Sequence, residues 1–268
     1  MINLSVRASS DPSHCSAARA ALQQMTIEES GALCLEAFGS PFHFKKGNAD
    51  LDAIRRHALG RRSFRPHTEM LNQNEIARDV LMIVDGLACT YHLLDDGRRQ
   101  ILSFCLPGDL IGIAGSPHAP LGYAAAAITN VAVAVLPQDR LLPIARTNPD
   151  FAMSLTRAVI ASQALSQHHL TNVGRRTARE RVASLLLELY CRVQGVSGTA
   201  AGEIQLPLTQ EEIGDALGLT HFHVNRVLRA LRNDHVVEFV NRVLRVLDVD
   251  RLSEEAGVEP GLFLSQAA

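Results

Sequence analysis

Residues 206–232, LPLTQEEIGDALGLTHFHVNRVLRALR, constrain this chain more than any other stretch. Thr209 with Glu212 three positions on is a capping-box start, and Ile213, Ala216 and Leu217 follow at helical spacing. Gly218 can end that helix, because only glycine turns left-handed at little cost. Thr220 can cap a second helix, on which Val224, Val227, Leu228 and Leu231 recur at i, i+3, i+4 and i+7. At about 100° per residue the opposite face carries Phe222, Asn225, Arg226 and Arg229, with His221 and Arg232 at its edge. The spacing therefore predicts two short helices joined by a tight turn, the second with a basic outer face.

No acid interrupts that face between His221 and Arg232. Such a helix suits the major groove of DNA, where arginine pairs with guanine O6/N7 or with phosphate and asparagine with adenine N6/N7. An ordinary helical hairpin with a solvated basic face is the competing reading, and the rest of the chain has to decide between them.

At 268 residues the chain suggests two domains, and 47% hydrophobic residues suffice for real cores. There is no Trp and only 4% aromatic content, which argues against base stacking on single strands. A net charge of −2 excludes a uniformly basic nucleic-acid coat but not one basic helix face. The five cysteines, Cys15, Cys34, Cys89, Cys105 and Cys191, are scattered and odd in number, as in reduced thiols of a cytoplasm. The N-terminus lacks a secretory signal pattern, and no apolar run approaches the roughly 20 residues of a membrane span. A cytoplasmic protein without a membrane partner is expected.

Along the chain, Ser9-Ser10-Asp11-Pro12-Ser13 reads as loop, and residues 17–38 have room for one or two helices. From about residue 53 to 136 the pattern changes to short β-type runs. Residues 80–84 precede Asp85-Gly86, residues 89–94 precede Asp95-Asp96-Gly97-Arg98, and residues 101–106 run into Pro107-Gly108-Asp109. Asp-Gly pairs between β-prone runs are hairpin signals. Residues 123–127 and 131–136 add two strands, so a barrel or jelly roll is expected. Beyond Pro137 the chain turns helical. A long helix over 151–173 places Phe151, Leu155, Ala158, Ser162, Leu165 and His169 on one small-sided face, which suits either a partner helix or the chain's own barrel. Gly174 interrupts it, and Thr177 with Glu180 opens a further helix bearing Val182, Leu185, Leu186, Leu189 and Val193 on one face. After a small-residue loop at 195–202, residues 203–206 form a short strand. Residues 236–240 and 243–247 make a hairpin around Asn241-Arg242, which turns the helix pair into a winged helix. From Ser253 no pattern is readable.

Three segments in this order resemble the Crp/Fnr superfamily of bacterial transcription regulators, over roughly residues 50–250. The first is Asp85-Gly86, then Asp96-Gly97-Arg98-Arg99-Gln100-Ile101, then Leu106-Pro107-Gly108-Asp109-Leu110-Ile111-Gly112. The second is Gly174-Arg175-Arg176-Thr177-Ala178-Arg179-Glu180-Arg181, and the third runs from Leu208-Thr209 to Arg226. The resemblance implies an α+β protein: an N-terminal β-roll (a jelly roll like that of cyclic-nucleotide-binding domains), a long dimerisation helix and a C-terminal winged helix-turn-helix. The corresponding division is an extension over 1–50, the roll over 51–139, a connecting and dimerisation helix over 140–174, the DNA-binding domain over 175–250 and a tail over 251–268. A homodimer on a roughly palindromic operator is implied, with double-stranded DNA and RNA polymerase as partners and an effector that the sequence does not identify. Arg226 falls where the family has its most regular recognition-helix arginine, and Thr209 and Thr220 match hydroxyl or cap positions near the DNA backbone. Phe222 falls where many members carry a base-reading glutamate, and a phenyl ring cannot accept from cytosine N4. Phe222 either meets thymine methyls, with Asn225 taking a larger reading role, or packs beside the DNA. The expected DNA-binding set is Thr209, Thr220, His221, Phe222, His223, Asn225, Arg226 and Arg229.

Other chemistries fit poorly. Family members that bind cyclic nucleotides use a Gly-Glu pair and, further on, an Arg-Ser/Thr pair, yet residues 112–129 contain no Glu and no Arg. A buried cyclic phosphate needs a positive partner. An iron–sulfur cluster needs four cysteine ligands, usually three of them clustered near the N-terminus, and Cys15 and Cys34 have no third neighbour there. Cys105 reads as a small core residue rather than a redox thiol. His168 and His169 read as partly exposed helix residues rather than ligands, since no second ligand cluster is visible. His221 and His223, at i and i+2, cannot share an ion, which leaves His223 to approach a phosphate. No cofactor, no metal site and no catalytic constellation is expected. A cupin-like small-molecule binder with an incidental helical tail is the rival from another class. It lacks clustered ligands, because residues 80–136 hold only His92 and His118.

Overall fold

The computed structural model describes residues 49–116, 118–197 and 202–264. The loop at 9–13, the helices expected over 17–38, and Cys15 and Cys34 lie outside them, as does part of the 195–202 loop.

The described chain opens on a helix, α1 (Ala49–Arg55), where a β-type pattern is expected from about residue 53. Eight strands follow: β1 (Gly60–Phe64), β2 (Glu69–Leu71), β3 (Asp79–Asp85), β4 (Ala88–Leu93), β5 (Arg99–Cys105), β6 (Leu110–Ile111), β7 (Ala124–Ala127) and β8 (Val131–Pro137). They form two antiparallel four-stranded sheets, in the orders β1-β8-β3-β6 and β2-β7-β4-β5. The signals at Asp85-Gly86 and Asp96-Gly97 lie at the β3–β4 and β4–β5 turns, with Gly86 and Gly97 both at positive φ; β4 and β5 form the expected hairpin, whereas the turn at Asp85-Gly86 carries the chain from one sheet to the other. β1 and β2, rich in arginine and short respectively, carry no hairpin signal and are absent from the sequence reading.

Strand alternation explains why β3 and β8 are buried on both faces. Leu81, Ile83, Val131, Val133 and Val135 join Met70, Ile111 and Cys105 inside the roll. Val80, Met82, Ala134 and Leu136 face the other way, against Ile54 of α1, Leu141 of α2 (Gln138–Thr147) and Phe151 of α3 (Pro149–Arg175). Cys105 is a buried core residue, as expected, and burial pushes its thiol well above the ordinary range.

The long helix α3 starts with Pro149 at its first position and with Asn148 accepting the Phe151 N–H at 3.1 Å. Gly174 does not stop it, and the helix ends at Arg175. Its inward face is Phe151, Ser154, Leu165, His168 and Asn172, all buried on the chain's own elements. The outward apolar residues are Met153, Val159, Ile160 and Leu170, not the small-sided face that the spacing singled out.

Helix α4 (Ala178–Ser197) begins at the predicted box: the Thr177 N–H donates to Glu180 at 2.6 Å and the Glu180 N–H to Thr177 Oγ1 at 3.4 Å. Val182, Leu185, Leu186, Leu189 and Val193 are all buried. Strand β9 (Glu203–Gln205), helices α5 (Gln210–Leu217) and α6 (His221–Asn233), and strands β10 (Val237–Val240) and β11 (Val243–Val246) complete a winged helix, with sheet order β10-β11-β9. The tail is structured where no pattern was read. Helices α7 (Val249–Ala256) and α8 (Gly261–Leu264) bury Leu252, Ala256 and Phe263 in the same core as α4. With one apolar residue per turn, that segment is too short for a visible period.

A buried polar cluster ties roll, long helix and winged helix together. Arg192 of α4 donates to Asp109 at 2.5 Å, to Glu188 at 3.1 Å and to the Phe104 carbonyl at 3.1 Å. Asp109 also accepts the Leu106 N–H at 2.8 Å, which explains the Leu106-Pro107-Gly108-Asp109 turn as a holder for this arginine. His169 lies against Glu188 at 2.6 Å through Nε2 and against the Leu102 carbonyl at 3.0 Å through Nδ1. Two acceptors require two N–H donors, so this ring is an imidazolium.

His168 differs. Arg176 donates to the Ser184 hydroxyl at 2.9 Å, and that hydroxyl meets His168 Nε2 at 2.8 Å while Phe263 packs edge-on at 5.1 Å. Arginine only donates, so the Ser184 hydroxyl accepts from Arg176, and it lies within hydrogen-bond reach of His168 Nε2. Both histidines are structural hydrogen-bonding residues; His168 is buried where partial exposure was expected, while His169 is half-buried.

Burial and the neighbouring Arg176 depress the pKa of His168 to about 4. For His169 burial opposes the charge, but the Glu188 carboxylate outweighs it and raises the pKa above the ordinary 6.5. Burial likewise opposes charge on Glu188, yet His169 and Arg192 hold it down to about 2. The contribution of His169 is full below its unfolded value and fades as pH rises through its folded one. That of His168 is full above 6.5 and fades as pH falls towards about 4. Urea unfolding across pH should therefore show a stability maximum between these limits. His169→Gln should remove the fall on the alkaline side, and His168→Gln should flatten the fall between pH 6.5 and 4.

Candidate nucleic-acid interface

The helix pair forms as its residues dictate. At the start of α5 the Thr209 hydroxyl accepts the Glu212 N–H at 3.1 Å, while Glu212 accepts the Thr209 N–H at 2.8 Å and its hydroxyl at 2.9 Å. Gly218 ends α5 in the left-handed region at φ 64°. The Thr220 hydroxyl then accepts the His223 N–H at 3.3 Å and starts α6. Gly214, which the spacing left unremarked, lets the two helices meet. A methyl group there would stand 2.5 Å from the Leu219 carbonyl oxygen, a backbone atom that cannot swing aside.

Val224, Val227, Leu228 and Leu231 seat α6 on the core. The opposite face is open: His221, Phe222, His223, Arg226 and Arg229 are exposed and Asn225 is half-buried. Phe222 is 75% exposed, and its ring lies 3.9 Å from that of His221. Asn225 donates through Nδ2 to Gln210 Oε1 of α5 at 3.0 Å, a partner that sequence reasoning missed because it lies across the turn. Arg232 approaches Glu238 of β10 at 3.9 Å. Among the described residues Arg226 and Arg229 carry no ion pair, so their guanidinium groups keep all five donors for an outside acceptor. At the wing tip, Asn241 and Arg242 both take positive φ, at 51° and 63°, the geometry of a two-residue hairpin turn.

The face of α5 away from α6 meets the roll. Arg99 of β5 makes a forked pair with Asp215, at 3.0 Å from Nε and 2.8 Å from the terminal nitrogen. Gln100 donates to the Ala216 carbonyl at 3.0 Å. The Arg99-Gln100 segment of the roll signature thus grips the helix-turn-helix directly. The segment 112–129 of the same roll has no Arg or Lys to meet a phosphate. Its Gly112 N–H donates to the Tyr123 hydroxyl at 2.8 Å, and β7 is four alanines.

Fold and exposed helix face together define a winged-helix DNA-binding protein with a roll-shaped second module. Residues 61–148 match the cyclic nucleotide-binding domain family and residues 180–255 the Crp-like helix-turn-helix domain family. The transcriptional activatory protein AadR of Rhodopseudomonas palustris is 32% identical over 208 residues, spanning 76% of this chain and 84% of its own. The nitrogen fixation regulation protein FixK of Azorhizobium caulinodans is 32% identical over 188 residues, 70% of this chain and 75% of its own. The structure of FixK2 from Bradyrhizobium japonicum superposes with a TM-score of 0.67 at 33% identity, covering 73% of this chain and 96% of that one. The chain belongs to the Crp/Fnr family and is a DNA-binding transcription regulator of that type; the cupin-like alternative is not favoured.

Gly214→Ala gains about 1 kcal/mol of helix propensity but forces a backbone clash of about 1–3 kcal/mol. Because the near atom is a carbonyl, the clash should win. Lower thermal stability by circular dichroism and loss of operator binding are expected; an unchanged melting temperature would contradict the close approach.

Proposed function

We propose that the protein acts as a homodimer on a roughly palindromic operator, each α6 entering a major groove. The open basic face of α6 supports this reading above all: two unpaired arginines, two histidines and an amide, with no carboxylate between His221 and Arg232. Arg226 and Arg229 contact bases or phosphates, Asn225 and Phe222 face base edges, and His221 and His223 approach the backbone. Thr220 keeps its hydroxyl proton for a phosphate, whereas the Thr209 hydroxyl proton is engaged by Glu212, so Thr209 meets the backbone only by exchanging that bond. The wing tip at Arg242 lies on the backbone.

The exposed pair Met153 and Ile160 on α3, two turns apart on one face, supports a parallel partner helix as the dimer contact. The division into a roll (51–139), a connecting and dimerisation helix (140–174) and a DNA-binding domain (175–250) belongs to the same reading, with α7 and α8 of the 251–268 tail added to the last. The protein works by binding, without catalysis, in the cytoplasm; no helix of the described residues is long and apolar enough to cross a membrane. RNA polymerase is the further partner, as expected of a regulator akin to a transcriptional activatory protein. The roll either passes an effector's signal to α5 through Arg99–Asp215 and Gln100–Ala216 or holds α5 constitutively. The effector is not cyclic AMP, for want of a phosphate-binding cation in 112–129.

Selection of bound duplexes from a random pool, by the full-length protein at physiological salt, tests this reading. An inverted repeat with half-sites one helical turn apart is expected, and Arg226→Ala should weaken binding by about 1–3 kcal/mol. Retained full affinity in that variant, or no sequence preference, would refute the assignment. Ile160→Asp should shift the protein from dimer to monomer in sedimentation velocity, with lower operator affinity.

A further inference from the structure

The groove-facing surface of α6 combines two side chains whose chemistry is selective. Phe222 is 75% exposed and touches no core, so packing within the module does not explain a phenyl ring in water at that position. Among the described residues its ring partner is His221, at 3.9 Å and 37° between planes, which stiffens the pair into a small platform. On the major-groove edges of base pairs the one apolar feature is the C5 methyl of thymine.

Asn225 lies one turn further along the same face. Its bond to Gln210 Oε1, at 3.0 Å, takes one of its two N–H donors and sets the orientation of the carboxamide. The remaining N–H and Oδ1 are a donor–acceptor pair, the complement of adenine N7 and N6. From His221 to Asn233 the helix carries no carboxylate, so nothing on it accepts from cytosine N4 as Asp or Glu does.

We propose that each half-site is read through a thymine methyl group against Phe222 and an adenine against Asn225, with Gln210 as the positioning residue that fixes the Asn225 amide. This rests on the reading that α6 enters the major groove. Gln210 touches no base; it acts from α5, across the turn that Gly214 keeps tight.

The test uses the full-length protein and its selected operator. Each thymine is replaced singly by deoxyuridine, which removes only the methyl, and each adenine by 7-deazaadenine, which removes only the N7 acceptor. Affinities are read by fluorescence anisotropy at physiological salt. One deoxyuridine position should weaken the wild type about fourfold, the worth of one buried methyl, and should cost Phe222→Ala nothing. One deazaadenine position should weaken the wild type about tenfold, as one lost bond of a bidentate pair, and should cost Asn225→Ala nothing. Gln210→Ala should lose that adenine penalty while keeping the deoxyuridine penalty, a split that a misfolded module cannot produce. Gln210→Glu keeps the acceptor for Asn225, so it should keep the adenine penalty although overall affinity falls. Specific binding that tolerates every deoxyuridine and deazaadenine, or penalties that persist in the alanine variants, overturns the proposal. A pool that yields no preferred sequence instead refutes the groove assignment on which it rests.

Discussion

Arg192 is the residue on which the arrangement of modules depends. It is buried, and it reaches a carboxylate in its own helix, a carboxylate in the Pro107-Gly108-Asp109 turn and a carbonyl at the end of β5. A buried charge is costly unless every donor finds a partner, and losing one partner of such a pair costs about 3–5 kcal/mol. The penalty for misplacement makes the cluster a device of register: α4 fits the roll in one position only. An apolar contact of the same area would tolerate sliding, because hydrophobic burial has no direction.

The same logic runs outwards from that hub. Glu188 links Arg192 to His169 on the long helix, and His169 returns to the roll at Leu102. At the other end of β5, Arg99 and Gln100 hold Asp215 and Ala216 of α5. The strand therefore touches the DNA-binding module at both ends. The core is continuous across that contact, since Tyr91, Ile101 and Phe104 belong to the same apolar cluster as Val182, Leu186 and Leu231. β5 thus joins the roll to the helix pair by direct bonds, while among the described residues the open face of α6 carries no intramolecular ion pair at Arg226 or Arg229.

Most of the helix-turn-helix was legible because its signals are local. The Thr209–Glu212 box, the left-handed Gly218, the Thr220 cap and the stripe on α6 each lie within a few residues, and each is present in the structure. The turns marked by Asp85-Gly86 and Asp96-Gly97 are readable for the same reason, since a turn's φ angles restrict its residues directly, but only the second joins paired strands: whether β3 and β4 share a sheet is not a local property. What failed were readings that needed to know a neighbour. His168 and His169 look like ordinary polar positions until Ser184, Phe263 and Glu188 arrive from other helices. On α3 both faces carry apolar residues, so the sequence leaves open which one turns inwards, and only contact with the rest of the chain decides it.

By itself, then, the sequence determined the class of element at nearly every position from 80 to 250, the family, and the identity of the exposed basic helix. Those follow from backbone conformational preference and the period of apolar residues, which act over one or two turns. Tertiary structure alone decided the roles of charged and polar side chains: that Asp109 serves Arg192, that Asp215 answers Arg99, and that Gln210 orients Asn225. Such bonds join residues whose separation along the chain carries no signal. Their strength depends on burial and a few tenths of an ångström, which exist only once the fold has brought the partners together.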